Sequence, residues 1–140
     1  MPVFQGGCHC GAVGVEFVTD LPAGELPLRA CQCSFCRRHN TRTTADPQGL
    51  VAFQIRDPEA LQRYEFGLKT AAYLLCRNCG CYVGAVAPGP SGERALVNVN
   101  CFEDRGAFQT RSPTPVSYDA ETAEQRRARR QSTWTPVKWR

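Results

Sequence analysis

The sequence lacks any apolar run approaching the ~20 residues that a membrane helix needs. Its opening, Met-Pro-Val-Phe-Gln-Gly-Gly, carries neither a basic segment nor the apolar stretch of a secretory leader. Both absences lead us to expect a cytoplasmic protein without a membrane span. Charged residues are sparse, 21% against 42% hydrophobic, which excludes global disorder. There is no long internal repeat and no low-complexity tract. At 140 residues the chain has the length of one domain, able to bury roughly 68–70% of its unfolded surface.

What the sequence has in excess is cysteine. The nine lie at Cys8, Cys10, Cys31, Cys33, Cys36, Cys76, Cys79, Cys81 and Cys101. In a reducing compartment clustered thiols point to metal binding. A disulfide scaffold is the alternative, and it fits poorly: the number is odd, and cysteines one residue apart cannot easily bridge each other.

The body of the chain reads as short antiparallel strands. Val13 to Val18 alternates after a glycine, and Leu50 to Ile55 is rich in β-branched and aromatic residues. Leu61–Phe66, Thr70–Cys76, Tyr82–Val86 and Ala95–Cys101 continue the pattern, with Gly- and Pro-rich turns between them. Regular spacing of this kind predicts a mainly β domain rather than alternating strand–helix units. A single helix is expected, from Ala120 to about Gln131, with Asp119 as its N-cap. Its only apolar residues are Ala120, Ala123 and Ala128, so it should be mostly exposed. We therefore expect residues 1–118 to form a zinc-binding β domain, with a basic helix and tail at 119–140 belonging to the same unit.

The net charge of +4 is concentrated at Arg126, Arg127, Arg129 and Arg130 and at the final Lys138-Trp139-Arg140. Such a run can face a polyanion or simply solvent. With no interleaved aromatics and no nucleic-acid motif, a solvated face is expected and a nucleic-acid partner is not.

Two groups of cysteines carry chemistry. Cys8-His-Cys10-Gly11 and Cys76-Arg-Asn-Cys79-Gly80 each end in a glycine that permits the positive φ of a tight metal-binding turn. Together they offer four thiolates, a closed and therefore structural zinc site. Cys31-Gln-Cys33-Ser-Phe-Cys36 offers three from one short loop, followed by Arg37, Arg38 and His39. Three thiolates leave a fourth position for water or substrate, as at a catalytic zinc. The adjoining cations would lower thiol pKa values and attract an anion. The alternative is a second structural zinc, completed by His39 or Cys81. Cys101 reads as a core residue, and His9 should point outward. Glu65, Glu103 and Asp104 are conceivable general bases, although surface solvation is the simpler role for each.

The ordered set Gly7-Cys-His-Cys-Gly-Ala12, Cys31-Gln-Cys-Ser-Phe-Cys-Arg-Arg38, Cys76-Arg-Asn-Cys-Gly80 and Leu96-Val-Asn-Val-Asn-Cys101 resembles the glutathione-dependent formaldehyde-activating enzymes, a family that includes the centromere protein V-like proteins. The resemblance implies a β-tent of antiparallel sheets pinned by a structural zinc on Cys8, Cys10, Cys76 and Cys79. It implies a second, catalytic zinc on Cys31, Cys33 and Cys36, with Cys33 able to leave the metal and form a mixed disulfide with glutathione. The implied activity is carbon–sulfur lysis of a thiol–aldehyde adduct of the S-hydroxymethylglutathione type. Cys81 and the Arg-rich C-terminal part depart from the family pattern. A non-catalytic zinc module with a basic tail for a polyanionic partner is the second possibility, and a redox enzyme of the methionine sulfoxide reductase type the third.

Overall fold

Alternating side chains make β2 (Val13–Val18) and β5 (Leu50–Ile55) neighbours: Val15 sits opposite Phe53 and Phe17 opposite Val51, all four buried. In the computed structural model, which describes residues 2–104 and 106–140, these two strands and β1 (Val3–Gly7) form an antiparallel group. A second antiparallel group runs β6 (Leu61–Tyr64), β7 (Ala72–Cys76), β8 (Tyr82–Ala87) and β9 (Arg94–Asn98). Every residue of β8 is buried, as befits a strand covered on both faces. Four phenylalanines, Phe4, Phe17, Phe102 and Phe108, fill the core with ring centroids 5.5–6.3 Å apart. Burying each contributes about 1.5–3 kcal/mol relative to exposure.

The fold forks at β9. One edge carries β8; the other carries β11 (Thr135–Trp139) along its first half and β4 (Thr43–Thr44) along its second. From β4 the sheet continues to β3 (Arg29–Cys31) and then β10 (Thr114–Val116). β11 lies between β5 and β9 and so joins the two antiparallel groups.

The mainly β class with a C-terminal helix is as the sequence predicts, with four local differences. β11–β5 and β10–β3 pair in parallel, within an otherwise antiparallel sheet. The Ala95–Cys101 strand stops at Asn98, because the Asn98 side chain accepts the N–H of Asn100 and donates to the Tyr82 carbonyl, turning Val99–Cys101 into a 3₁₀ helix. Two short helices, α1 (Ser34–His39) and α2 (Gly106–Gln109), add to the single one predicted; neither is long enough to show an apolar period.

The fourth difference is the C-terminal helix, α3, which spans Ala123–Thr133 and is capped by Thr122 rather than Asp119. The Thr122 hydroxyl accepts the Gln125 N–H while Gln125 accepts that of Thr122, a capping box worth more than a lone aspartate upstream. The inward face of α3 is not its alanines. Arg130 is 5% exposed, 4.9 Å above the ring of Trp134, and Arg129 lies 3.5 Å above Tyr118 and donates to both oxygens of Glu121. Arg126 donates to the Tyr118 carbonyl, and of the four arginines only Arg127 is exposed. Aromatic rings accept a guanidinium where an aliphatic pocket would not.

Candidate metal centres

Two β-hairpin turns meet at the first cluster. Cys8 and Cys10 lie in the turn between β1 and β2; Cys76 ends β7, and Cys79 lies in the turn leading to β8. Gly11 (φ 87°) and Gly80 (φ 80°) adopt the positive φ that these turns require. Their backbone closes locally, Gly11 N–H on the Cys8 carbonyl and Gly80 N–H on that of Cys76. The four Sγ atoms lie within 4.8 Å of one another, with Cys8–Cys10 at 3.7 Å and Cys10–Cys76 at 3.5 Å. Tetrahedral zinc with Zn–S near 2.3 Å asks for sulfurs about 3.8 Å apart, so this donor set fits the ion. N–H groups already point at sulfur, Val13 to Cys8 at 3.3 Å. For Cys79, desolvation opposes ionisation, but the N–H groups of Cys81 and Cys10 outweigh it and bring the thiol down to about 6. Cys76 moves the other way, to about 11, mainly through desolvation.

The second cluster forms where β3 gives way to α1. Cys31 ends the strand, Cys33 is the N-cap, and Cys36 points inward from the first turn of the helix. These three Sγ atoms also lie within 4.8 Å of one another, and among the described residues no histidine, carboxylate or fourth cysteine joins them. His39 instead packs on Phe35, centroids 4.4 Å apart, while Cys81 sits beside the first cluster and accepts the His9 N–H at 3.4 Å. The donor chemistry fits zinc with one position open. Hydrogen bonds from Cys31 and Cys36, supported by the Cys36 and Phe35 N–H groups, hold the Cys33 thiol well below its ordinary range. The hydrogen bond with Cys33 pushes Cys31 up, and those with Cys31 and Cys33 push Cys36 up. Three thiols thus share their protons so that the charge rests on Cys33.

A cleft opens against this cluster, lined by Cys31, Cys36, Arg29, Tyr82, Arg130 and Trp134 among others, and no carboxylate lines it. The sequence points to Arg37, Arg38 and His39 as the cations of this site. All three are exposed; Arg37 borders a second depression, which Cys31 and Cys36 also line, and Arg38 donates to the Ser34 carbonyl. The cations that reach the cleft are Arg29, Arg129 and Arg130. No local signal marks them, because β3 and α3 meet only in three dimensions. Glu65, Glu103 and Asp104 are exposed and lie away from the cleft. Cys101 is half-buried, donates to the Tyr82 carbonyl and is raised by burial to about 12. All nine cysteines are free thiols.

The model of the glutathione-dependent formaldehyde-activating enzyme family matches residues 3–118, a stretch that holds both clusters. The chain belongs to this family. Membership implies an enzyme acting on formaldehyde and glutathione. A crystal structure of a Rhodobacter sphaeroides protein is similar, with 33% identity over 80% of this chain and 99% of that one, at a TM-score of 0.58. In the present member of the formaldehyde-activating family, α3 and β11 lie beyond the stretch matched by the family model, yet α3 supplies part of the cleft wall. No described helix is long and apolar enough to cross a membrane.

Proposed function

We propose that the protein is a zinc-dependent carbon–sulfur lyase acting on glutathione, or a similar small thiol, and its aldehyde adduct of the S-hydroxymethyl type. The observation that carries this is the three-thiol cluster with no fourth ligand among the described residues, opening onto a cleft whose charged lining is all cationic. Cys8, Cys10, Cys76 and Cys79 would hold a structural zinc, and Cys31, Cys33 and Cys36 a catalytic one. When bound, the second zinc supplies a Lewis acid that can hold a thiolate or polarise an aldehyde oxygen.

The chain's own residues do the rest. Cys33, placed as the helix cap and kept anionic by its neighbours, gives the cluster its charge, and Cys31 and Cys36 fix its position from the strand end and the first helical turn. Arginines on the cleft wall attract an anionic thiol. Tyr82 and Trp134 shield the reacting carbon from bulk water. In the forward direction the thiolate sulfur bonds to the aldehyde carbon and the oxygen takes up a proton. In the lytic direction the carbon–sulfur bond breaks, the hydroxyl loses its proton and the thiolate leaves. Nine free thiols suit the reducing cytoplasm.

Metal analysis combined with a panel of thiol–formaldehyde adducts tests the proposal. We expect two zinc ions per chain and adduct cleavage that disappears in Cys36→Ala together with one of the two ions. Full turnover in Cys36→Ala, or a wild type that handles no adduct, would refute it.

A further inference from the structure

The two clusters absorb seven of the nine cysteines and leave Cys81 and Cys101 without a role. Cys101 is half-buried and engaged with the Tyr82 carbonyl. Cys81 stands against the first cluster without belonging to its four-sulfur set. Its Sγ accepts the N–H of His9, the residue between Cys8 and Cys10, at 3.4 Å. Its thiol shares a hydrogen bond with that of Cys79, whose sulfur also accepts the N–H groups of Cys81 and Cys10. Cys10 and Cys81 therefore flank the same ligand. The Cys81 carbonyl accepts the Cys76 N–H at 3.0 Å, which ties this fifth thiol to the hairpin turn that carries two of the four ligands.

The four ligands are unequally protected. Cys8 and Cys76 are buried and Cys79 is half-buried, whereas Cys10 is exposed, alone among the nine thiols. A reagent in solution reaches Cys10 first. Its loss would leave three sulfurs at a centre that a closed tetrahedral shell requires to have four. Cys76-Arg-Asn-Cys79-Gly-Cys81 has the cysteine spacing of Cys31-Gln-Cys33-Ser-Phe-Cys36 in reverse order. In the latter run that spacing already gathers three sulfurs within 4.8 Å of one another.

We infer that Cys81 is a replacement ligand for the first centre, taking the position of Cys10 when that exposed sulfur leaves the metal. The inference rests on the reading of Cys8, Cys10, Cys76 and Cys79 as a structural zinc site. In the exchange the metal–sulfur bond to Cys10 breaks, one to Cys81 forms, and the Cys81 thiol proton passes to the departing Cys10 thiolate. Where an aldehyde has added to Cys10, a sulfur–carbon bond forms there and the proton ends on the aldehyde oxygen instead. No electron is transferred, and the metal has four sulfurs before and after.

The test combines zinc counting and chelator competition on the full chain with cadmium NMR of the cadmium-loaded chain, in which four-sulfur and three-sulfur sites resonate apart. Cys10→Ala should hold as many ions as the wild type and keep the four-sulfur resonance. It should give up the first ion to a chelator no more than about tenfold more readily than the wild type, the cost of a rearranged shell. Cys81→Ala should hold both ions, since the original four ligands remain. The double variant Cys10→Ala/Cys81→Ala should bind the first ion at least about a hundredfold more weakly or fail to fold, a loss well beyond the two single effects combined. Cys10→Ala/Cys101→Ala should match Cys10→Ala. Loss of the first ion or of folding in Cys10→Ala overturns the inference, as does a three-sulfur resonance in place of the four-sulfur one. Equal retention in Cys10→Ala with and without Cys81 overturns it too. A wild type lacking the four-sulfur resonance refutes the structural-zinc reading and the inference with it. A four-sulfur wild type beside a three-sulfur Cys10→Ala refutes the inference alone.

Discussion

The two cysteine clusters are made of the same donor atom at nearly the same spacing, yet the chain builds them from opposite materials. The first is held by two hairpin turns more than sixty positions apart in sequence, from Cys10 to Cys76, so it staples β1–β2 to β7–β8. The second comes from six consecutive residues at one strand–helix junction and ties together almost nothing that the backbone does not already join. Four ligands from distant segments complete a tetrahedral shell and gain their stability from the folding they enforce. Three ligands from one loop leave a coordination position open, and losing the metal there costs the fold little. In the function proposed above, the difference between scaffold and reaction centre lies in where the ligands sit along the chain.

The largest expected effect breaks the comparison outright. Apparent binding free energies at structural zinc sites are about 10–16 kcal/mol, as large as the whole stability of a small domain. Cys79→Ala should therefore give an insoluble or unfolded chain, whereas Cys36→Ala should show a cooperative melt and one zinc by metal analysis. Equal behaviour of the two variants would mean that both sites are structural.

A smaller effect sharpens the contrast in reactivity. A depressed thiol pKa leaves thiolate present at low pH, and a raised one removes it until high pH. Brief exposure to oxidised glutathione at pH 6.5 should join one glutathione to Cys33, whose pKa is lowered, releasing the other as thiolate and zinc from the weaker site only. Cys101, raised to about 12, should stay unmodified through pH 9. Peptide mass mapping reads both outcomes, and modification spread over Cys8, Cys76 and Cys79 would contradict the open-site assignment.

The smallest effect concerns the charged helix. Arg127→Gln should leave zinc content and turnover unchanged and alter stability by no more than about 0.5 kcal/mol, as for an exposed position. A loss of salt-sensitive binding to a polyanion in this variant would instead favour an interaction role for the C-terminal segment.

Much of this architecture is legible in the residues themselves. Strand β2 follows from alternation and β5 from its β-branched and aromatic residues, with both boundaries as expected, and the cysteine spacings locate both clusters, helped at the first by its two glycines. These are local signals, set by neighbours within a few residues. The cleft is not legible in this way, because its wall joins Arg29 of β3 to Arg130 of α3 through contacts no periodicity encodes. Residue type misleads at Arg130 as well: arginine at an inward position looks like a solvated face until Trp134 is known to lie under it. The parallel strand β11 escapes for a different reason: it is only five residues long, and Pro136 within it reads as a strand breaker.

The position of β11 has a consequence for the growing polypeptide. It lies between β5 and β9, and it leaves the ribosome after the other ten strands have emerged. Until it docks, with the Asp46 N–H on the Thr135 hydroxyl and Val137 opposite Val51, the nascent chain carries two unpaired edges, one on each half. Open edges of this kind recruit other chains. A zinc ion on Cys8, Cys10, Cys76 and Cys79, as proposed above, would have its last ligand at Cys79, could bind long before that moment and would keep the two halves of one molecule nearer to each other than to any neighbour.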